Sequence, residues 1–582
     1  MILKLLKVIN RVRIAVLFLI FCFGMVVIRL FYWQVIRGKE LAAKGLSQYF
    51  YTLSLPARRG EILAADGSVL AGSKPSYLLY SYKPNFSGDF KELSLRLSDL
   101  MMSDSITEAS PSAKPLDEIK RDYADQIFSK LFKKSIWEIL VKKLDSSQKN
   151  VIDSWHVPGL GFQSSWSRFY PEASSGAHVM GFVGQDASGQ PKGYLGLEGY
   201  YERELKGLPG SLKQEKDVFG NPILVGNFSE TPTVSGRTIL THIDKYVQKI
   251  LEVELLKGMD KYGAVAGEAM VMDPATGAVL ALASYPNFNP GDYWKFDQKW
   301  LKNPVISESY EPGSTFKTVV MAAALDSGAV EPDTECDICG GPINMGQYSI
   351  RTWDGKYHAG IDMTDTIIHS DNTGMVFAAR KLGNDKLLEY IKKFGFGNLT
   401  GIDLQGETTP GLRPELKDID LATASFGQGI AVTTIQMLRA VAAIANGGVM
   451  KVPFIAEKIG NDNQNMTLVN KKPGERVISK EASEKLKEMM VKAVVNGEAK
   501  FAAPKGYRIA GKTGTAQIPV AGHYDDEKTI ASFIGFAPAD SPKFAMIVKL
   551  REPTSSQWGS ETAAPLWFNI AKKLLLYWEI PQ

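Results

Sequence analysis

A run of apolar residues near the N-terminus decides in which compartment the rest of this chain folds. Ile14 to Ile28 carries no charge, and after Arg29 the apolar and aromatic character resumes through Leu30, Phe31, Tyr32 and Trp33 to Ile36. Together these segments reach the roughly 20 residues that cross a bilayer. Arg29 falls late in the span, where a long side chain snorkels to the headgroups, and Tyr32 and Trp33 suit the interface beside it. Lys4, Lys7, Arg11 and Arg13 precede the span with no acidic residue among them. The positive-inside rule therefore predicts a cytoplasmic tail over 1–13, an anchor over 14–36 and an exported remainder. A cleaved signal peptide is the rival reading, disfavoured by the length of the span and by the lack of a small-x-small cleavage site after it.

The 582 residues exceed what one hydrophobic core organises and predict several domains. A net charge of only +4, with no basic stripe, argues against a dedicated nucleic-acid binder. The sequence has no zinc-finger spacing and no glycine-rich phosphate loop. Of the three cysteines, Cys22 lies in the apolar span, and Cys336 and Cys339 form Cys-x-x-Cys in a Gly- and Pro-rich stretch. Zinc would need two more ligands there, so an exported location favours a local disulfide.

Past the span, Tyr49 to Leu55 alternates as a strand does, and Pro56 to Ala71 places two short strands around Asp66-Gly67, a hairpin signal. Residues 85 to 155 are charged, with Leu and Ile at spacings of three and four, which predicts mostly helix. Glycines and aromatics from Trp166 to Gly210 predict loops and short strands of a supporting module. Thr238 to Leu256 passes from strand to helix and opens a second domain. There Ala266 to Met272 and Ala278 to Ser284 flank Asp273-Pro274-Ala275-Thr276-Gly277 with almost wholly apolar residues, the pattern of a hairpin at a sheet centre. A largely helical middle follows from 310 to 450. Strands return at Arg508 to Ala510, Ala516 to Ile518, Ile530 to Phe536 and Phe544 to Leu550, then a helix over Ala563 to Tyr577. Lys572 and Lys573 within that helix favour packing on a sheet over a second membrane span. The order predicts an α+β fold, an antiparallel sheet flanked by helices.

Three short elements carry the chemistry. In Ser314-Thr315-Phe316-Lys317, a lysine three residues after a serine shares its helical face and can take the hydroxyl proton that otherwise makes serine a poor nucleophile. Pro312 and Gly313 stop the preceding segment, and Thr318 to Leu325 can carry a buried helix with Ser314 in its first turn. Free N–H groups at that start face developing negative charge. Ser370-Asp371-Asn372 offers a second hydroxyl and an amide able to hold an amine or a carbonyl; its other reading is a helix N-cap. Lys512-Thr513-Gly514-Thr515, if on a sheet edge, supplies positive charge, two hydroxyls and a glycine that lets a substrate backbone lie close; its other reading is a solvent-facing turn. Each element alone is a common coincidence. In this order within one exported domain they match a serine acyl-transfer set.

On these residues the chain resembles the penicillin-binding proteins, more closely the class B peptidoglycan D,D-transpeptidases. Arg59-Gly60-Glu61-Ile62 with Asp66-Gly67 is similar to the family's first N-terminal motif, although Ala64-Ala65 stand where a more polar pair with Arg is common. Arg168-Phe169-Tyr170-Pro171 and Gly196-Leu197-Glu198 are similar to later ones. Glu311 before Pro-Gly-Ser, the form Ser370-Asp371-Asn372 and Lys512-Thr513-Gly514-Thr515-Ala516-Gln517 lean toward the cell-division branch. Cys336 resembles a position seen in some members, and Cys339 is less familiar.

The resemblance implies a serine β-lactamase-like transpeptidase domain with a helical subdomain over 241–582. Before it comes a non-catalytic, dimerisation-like domain of β and α+β structure over 37–240. It implies catalytic roles for Ser314, Lys317, Ser370 and Asn372, with Lys512, Thr513, Gly514 and Thr515 binding substrate or the oxyanion, and no metal or organic cofactor. Implied partners are peptidoglycan stem peptides on lipid-linked nascent glycan, a membrane glycosyltransferase and other division proteins, with β-lactams as covalent inhibitors and no nucleic acid. The implied location is the bacterial cytoplasmic membrane, single-pass, with the catalytic domain outside. Two alternatives use the same residues: a D,D-carboxypeptidase or β-lactamase that gives the acyl group to water, and a non-catalytic scaffold or β-lactam sensor.

Overall fold

The computed structural model describes residues 2–103, 116–215, 228–346, 348–461, 465–470, 472–520 and 523–582. They fall into two units, Met1–Ala57 with Leu208–Val234, and Arg58–Gly207 with Ser235–Gln582. In the first unit a helix over Ile2–Phe31 runs on through one wider turn, Tyr32–Ile36. Val8–Ile36 is the one stretch of the described residues long and apolar enough to cross a membrane, and none of it is buried against protein, as a lipid-facing helix requires. The helix Gly38–Tyr49 leads to the strand Phe50–Leu55 expected from its alternation. That strand pairs antiparallel with Gly210–Glu215, which pairs in turn with Phe228–Thr231.

The second unit begins with the hairpin signalled by Asp66-Gly67: Ile62–Leu63 pairs antiparallel with the long strand Val69–Tyr82, with Gly67 at φ +80° in the turn. Ile62–Leu63 also pairs in parallel with Thr238–Thr241, whose other neighbour is Ala456–Gly460. One sheet thus gathers segments from both sides of residue 241. The 85–155 region is mostly helical, as expected, but holds one strand. Between the helices Phe90–Ser103 and Leu116–Phe132 and the helix Ser146–Asp153 lies the strand Trp137–Leu144, paired with Val69–Tyr82. Its Leu140, Val141 and Leu144 are buried with Leu93, Leu97, Ile127 and Leu131. Their spacing suits either period, and the free edge of the neighbouring strand decided it.

Gly196–Tyr200, expected as loop, is a helical turn built around a buried carboxylate. Glu198 is fully buried and receives Arg59 Nε and Arg168 Nε at 2.6 Å each. Arg59 also reaches Glu202 at 2.7 Å, and Arg168 donates to the Gly60 carbonyl at 2.6 Å. The three N-terminal motifs therefore meet in one ion cluster.

The second sheet comprises β1 (Ala266–Met272), β2 (Val279–Tyr285), β3 (Ala510–Val520), β4 (His523–Ala537) and β5 (Phe544–Arg551), in the spatial order β2-β1-β5-β4-β3, every pair antiparallel. Residues 508–510 and 516–518 are not separate strands: β3 runs unbroken through Lys512 to Thr515 at the sheet edge. The β1–β2 hairpin forms as expected, but β2 is the other edge and not the centre. It is apolar because neighbours cover it, with Val279 donating to the Phe454 carbonyl and Ser284 bonded to the buried His178. Against the sheet pack α1 (Lys245–Tyr262), α4 (Thr434–Ala445), α5 (Lys480–Asn496) and α6 (Ala563–Tyr577), while α2 (Lys317–Asp326) packs on α5 and α3 (Asn372–Leu382) on α2. Side chains alternate across β1: Ala269 and Val271 join the core under α1 and α6, Met270 and Met272 the core under α4. In α2 every residue from Lys317 to Leu325 is buried, so the helix is core on all sides. Cys336 and Cys339 are joined by a disulfide.

Candidate active site

Ser314 sits in a tight 3₁₀ turn, Gly313–Phe316, that runs directly into α2. Thr315 and Thr318 fold their hydroxyls back onto the carbonyls of Pro312 and Thr315, at 2.7 and 2.8 Å. Gly313 takes φ +53° and donates to the Gly427 carbonyl at 3.1 Å. The approach there is so close that a Cβ on Gly427 would lie 2.1 Å from the Gly313 oxygen. Ser314 is left half-buried, facing a cleft, and Lys317 follows it into the interior.

Lys317 is wholly buried, and its amine is held on three sides. It donates to the Ser370 carbonyl at 2.5 Å, to Asn372 Oδ1 at 2.7 Å and to Ser370 Oγ at 3.2 Å. Burial pushes this amine well below the usual lysine range, and the charge of Lys512 adds to the push. Asn372 cannot turn its amide around, because Nδ2 donates to the Arg351 carbonyl at 2.8 Å. Both readings of Ser370-Asp371-Asn372 hold, on different residues. Asp371 caps α3 through the N–H groups of Thr373 and Gly374 at 2.7 and 3.0 Å, while Ser370 and Asn372 turn to Lys317. Ser370 adopts φ +55°, a left-handed conformation that costs a β-carbon residue about 1 kcal/mol and is found where geometry outranks comfort.

Across the cleft, edge strand β3 sends Thr513, Thr515 and Gln517 to the cavity wall, every second residue. Gly514 falls between them: a Cβ there would meet Ser532 Oγ at 2.5 Å and Thr315 Cγ2 at 2.7 Å. It lets the strand lie against the Ser314 turn, on the side away from the cavity. Lys512 is buried, and its amine donates to Thr513 Oγ1 at 3.1 Å. Burial lowers this amine too, with Glu498 opposing the shift. Thr515 Oγ1 accepts the Gly559 N–H at 2.9 Å. Ser314, Ser370, Asn372, Thr513 and Thr515 thus share one cavity of about 300 Å³, with both lysine amines behind its wall.

A family model described as the penicillin-binding protein transpeptidase domain matches residues 267–575, and one described as the penicillin-binding protein dimerisation domain matches 54–241. Stage V sporulation protein D of Bacillus subtilis is 32% identical over 575 residues, covering 97% of this chain and 85% of that one. The chain belongs to the class B penicillin-binding proteins. Peptidoglycan D,D-transpeptidase FtsI of Escherichia coli is 30% identical over 434 residues, 74% of this chain and 70% of the relative. The crystal structure of penicillin-binding protein 2X from Streptococcus thermophilus superposes with a TM-score of 0.71 at 24% identity, covering 90% of this chain and 80% of that one. This penicillin-binding protein has the domain architecture of cell-division members and the enzyme class of serine-type transpeptidases.

Its cleft has walls that the three motifs did not announce. Trp353 and Trp558 meet edge-on at the rim, 5.2 Å between centroids, and Phe426, Gln428, Gln557 and Glu498 also line the cleft. Glu311, part of the division-branch pattern, accepts from the Gly429 N–H at 3.0 Å and from the Tyr524 hydroxyl at 3.1 Å, and so ties the Ser314 turn to its surroundings.

Proposed function

We propose that this protein crosslinks peptidoglycan stem peptides through an ester on Ser314, in septal wall synthesis. The observation that carries the reading is the Lys317 amine: buried, beside Ser370 and Asn372, one helical turn from a half-exposed serine. A neutral amine has two N–H bonds. Given to the Ser370 carbonyl and Asn372 Oδ1, they leave its lone pair for a hydroxyl proton. Ser314 Oγ attacks the carbonyl carbon between the two terminal D-alanines while Lys317 takes its proton. The oxyanion forms against the N–H groups of Ser314 and Thr515. The C–N bond breaks, and the proton passes from Lys317 through Ser370 to the departing D-alanine amine. An amine of a second stem peptide then attacks the ester, its proton returns to Ser314 Oγ, and the crosslink is made. Lys512, Thr513 and Thr515 hold the donor's terminal carboxylate.

In this reading 241–582 is the catalytic domain and 37–240 the non-catalytic one. The span over 14–36 holds the chain in the cytoplasmic membrane with residues 1–13 inside and the cleft outside. The partners are lipid-linked nascent glycan and a membrane glycosyltransferase of the division complex. Labelling of the full-length chain with a fluorescent penicillin tests the chemistry. The wild type should be labelled and Ser314→Ala should not; equal labelling of both removes Ser314 as nucleophile.

A further inference from the structure

Glu498 is the one charged side chain among the described residues that line the cleft. It follows the end of α5, is half-buried, and accepts a hydrogen bond through Oε2 from Thr513 Oγ1 at 3.2 Å. Thr513 Oγ1 in turn accepts from Lys512 Nζ at 3.1 Å. A hydroxyl has one proton to give, and here it goes to a carboxylate of the chain itself. The same carboxylate is the counter-charge that offsets the burial of Lys512. Two of the three groups assigned above to the donor's terminal carboxylate, Lys512 and Thr513, are therefore already engaged by an internal one.

We infer that Glu498 occupies the electrostatic place of the donor carboxylate in the free enzyme and competes with it for the Thr513 proton and the Lys512 charge. This rests on the reading of Lys512 and Thr513 as the carboxylate clamp. Glu498 has somewhere to go when it yields. Its other side borders an adjoining cavity of about 610 Å³, lined by Lys356 and Lys500 but also by Asp354, Asp371 and Glu561, so a change of side-chain rotamer takes the carboxylate off Thr513 into an open space of mixed charge. Glu498 makes no hydrogen bond to Ser314 or Lys317 among the described residues, although its charge opposes the lowering of the Lys317 amine, so the competition is read in binding and any effect on that amine in the limiting rate. Its effect is selective: a ligand whose end carries no charge has nothing to displace.

The test uses the full-length chain in detergent and two probes, benzylpenicillin with its free carboxylate and the corresponding methyl ester. Acylation rate against probe concentration separates the dissociation constant Kd from the limiting rate. Glu498→Ala should tighten Kd for the acid about tenfold, as hydrogen bonds to charged acceptors are of that size. Glu498→Gln, which keeps an acceptor but not the charge, should fall between, and neither should tighten the ester. An unchanged or weaker Kd for the acid in both variants, or an equal gain for the ester, overturns the inference. Thr513→Val separates the layers. If it weakens the acid while the Glu498 variants do not tighten it, only the competition falls. If it leaves the acid's Kd unchanged, the clamp assignment falls and takes the competition with it. If wild type and Ser314→Ala acylate alike, the nucleophile assignment fails instead.

Discussion

Glu198→Gln probes what the N-terminal motifs contribute. The carboxylate has no exposure to solvent; burial alone would raise its pKa, and Arg168 and Arg59 outweigh burial and hold it below the usual range. Glutamine presents one oxygen where two guanidinium groups now meet two, and turns an amide N–H₂ toward one of them. The two arginines do not lose equally. Arg59 keeps Glu202 at 2.7 Å, whereas Arg168 keeps the Gly60 carbonyl and no carboxylate, and its Nη2 already lacks a partner. Stranding a charge in a buried pair costs about 3–5 kcal/mol, and with Arg59 still paired the lower end applies. For a folding unit of ordinary domain size that is a fall in Tm of roughly 6–12 °C. Calorimetry of the full-length chain in detergent reads it, with penicillin labelling below the transition to show that the cleft is intact. Adding Arg168→Met to Glu198→Gln removes the stranded charge and should restore more than half of the loss. A fall smaller than about 2 °C, or a double variant no better than the single, would refute the account of the cluster.

Two predictions concern the cleft. Lys317→Arg should cut penicillin acylation about a thousandfold, because a guanidinium cannot give up its proton to become a base. It should also lower Tm, since it forces a larger charged group into a filled core, so acylation is measured below the transition. In the wild type the sign of the pH dependence follows from which form each lysine needs. Acylation rises as pH climbs through the lowered Lys317 value and falls where Lys512, lowered less, gives up its charge. Between the lowered and the ordinary lysine values only the unfolded chain binds the Lys317 proton, so stability also rises with pH there. A rate independent of pH below the ordinary lysine range contradicts the assignment. Gly427→Ala should drive the Ser314 turn out of place, since its new Cβ meets the Gly313 oxygen at 2.1 Å, and reduce the acylation rate about a hundredfold while far-ultraviolet dichroism stays native. An acylation rate within about threefold of the wild type would show that the turn has room to shift.

What the chain spells locally could be read from it. Ser314 and Lys317 share one turn, Asp371 caps the helix it precedes, and β3 alternates between cavity and interior, each a consequence of spacing along a few residues. The walls of the cleft have no such spelling. Glu498 reaches Thr513 only because α5 packs beside the edge strand, and Trp353 meets Trp558 across two hundred residues of chain. The strand Trp137–Leu144 was illegible for a related reason: its apolar spacing fits helix and strand alike, and the partner that settles the matter lies at Val69–Tyr82. Gly514 shows a subtler limit. A glycine needed for close approach was evident, but the neighbour it admits is Thr315 of the chain, which no local pattern names.

The all-round burial of α2 also limits where this protein can change. From Lys317 to Leu325 no side chain reaches the surface, so almost any replacement there removes packing or forces a larger group into a filled core. Changes that reshape the cleft while sparing the fold fall elsewhere, on Trp353, Gln428 and Trp558 at the rim, whereas Phe426 is itself packed in a small core. The helix that follows Ser314 is in that sense a fixed address, with room for variation on its doorstep.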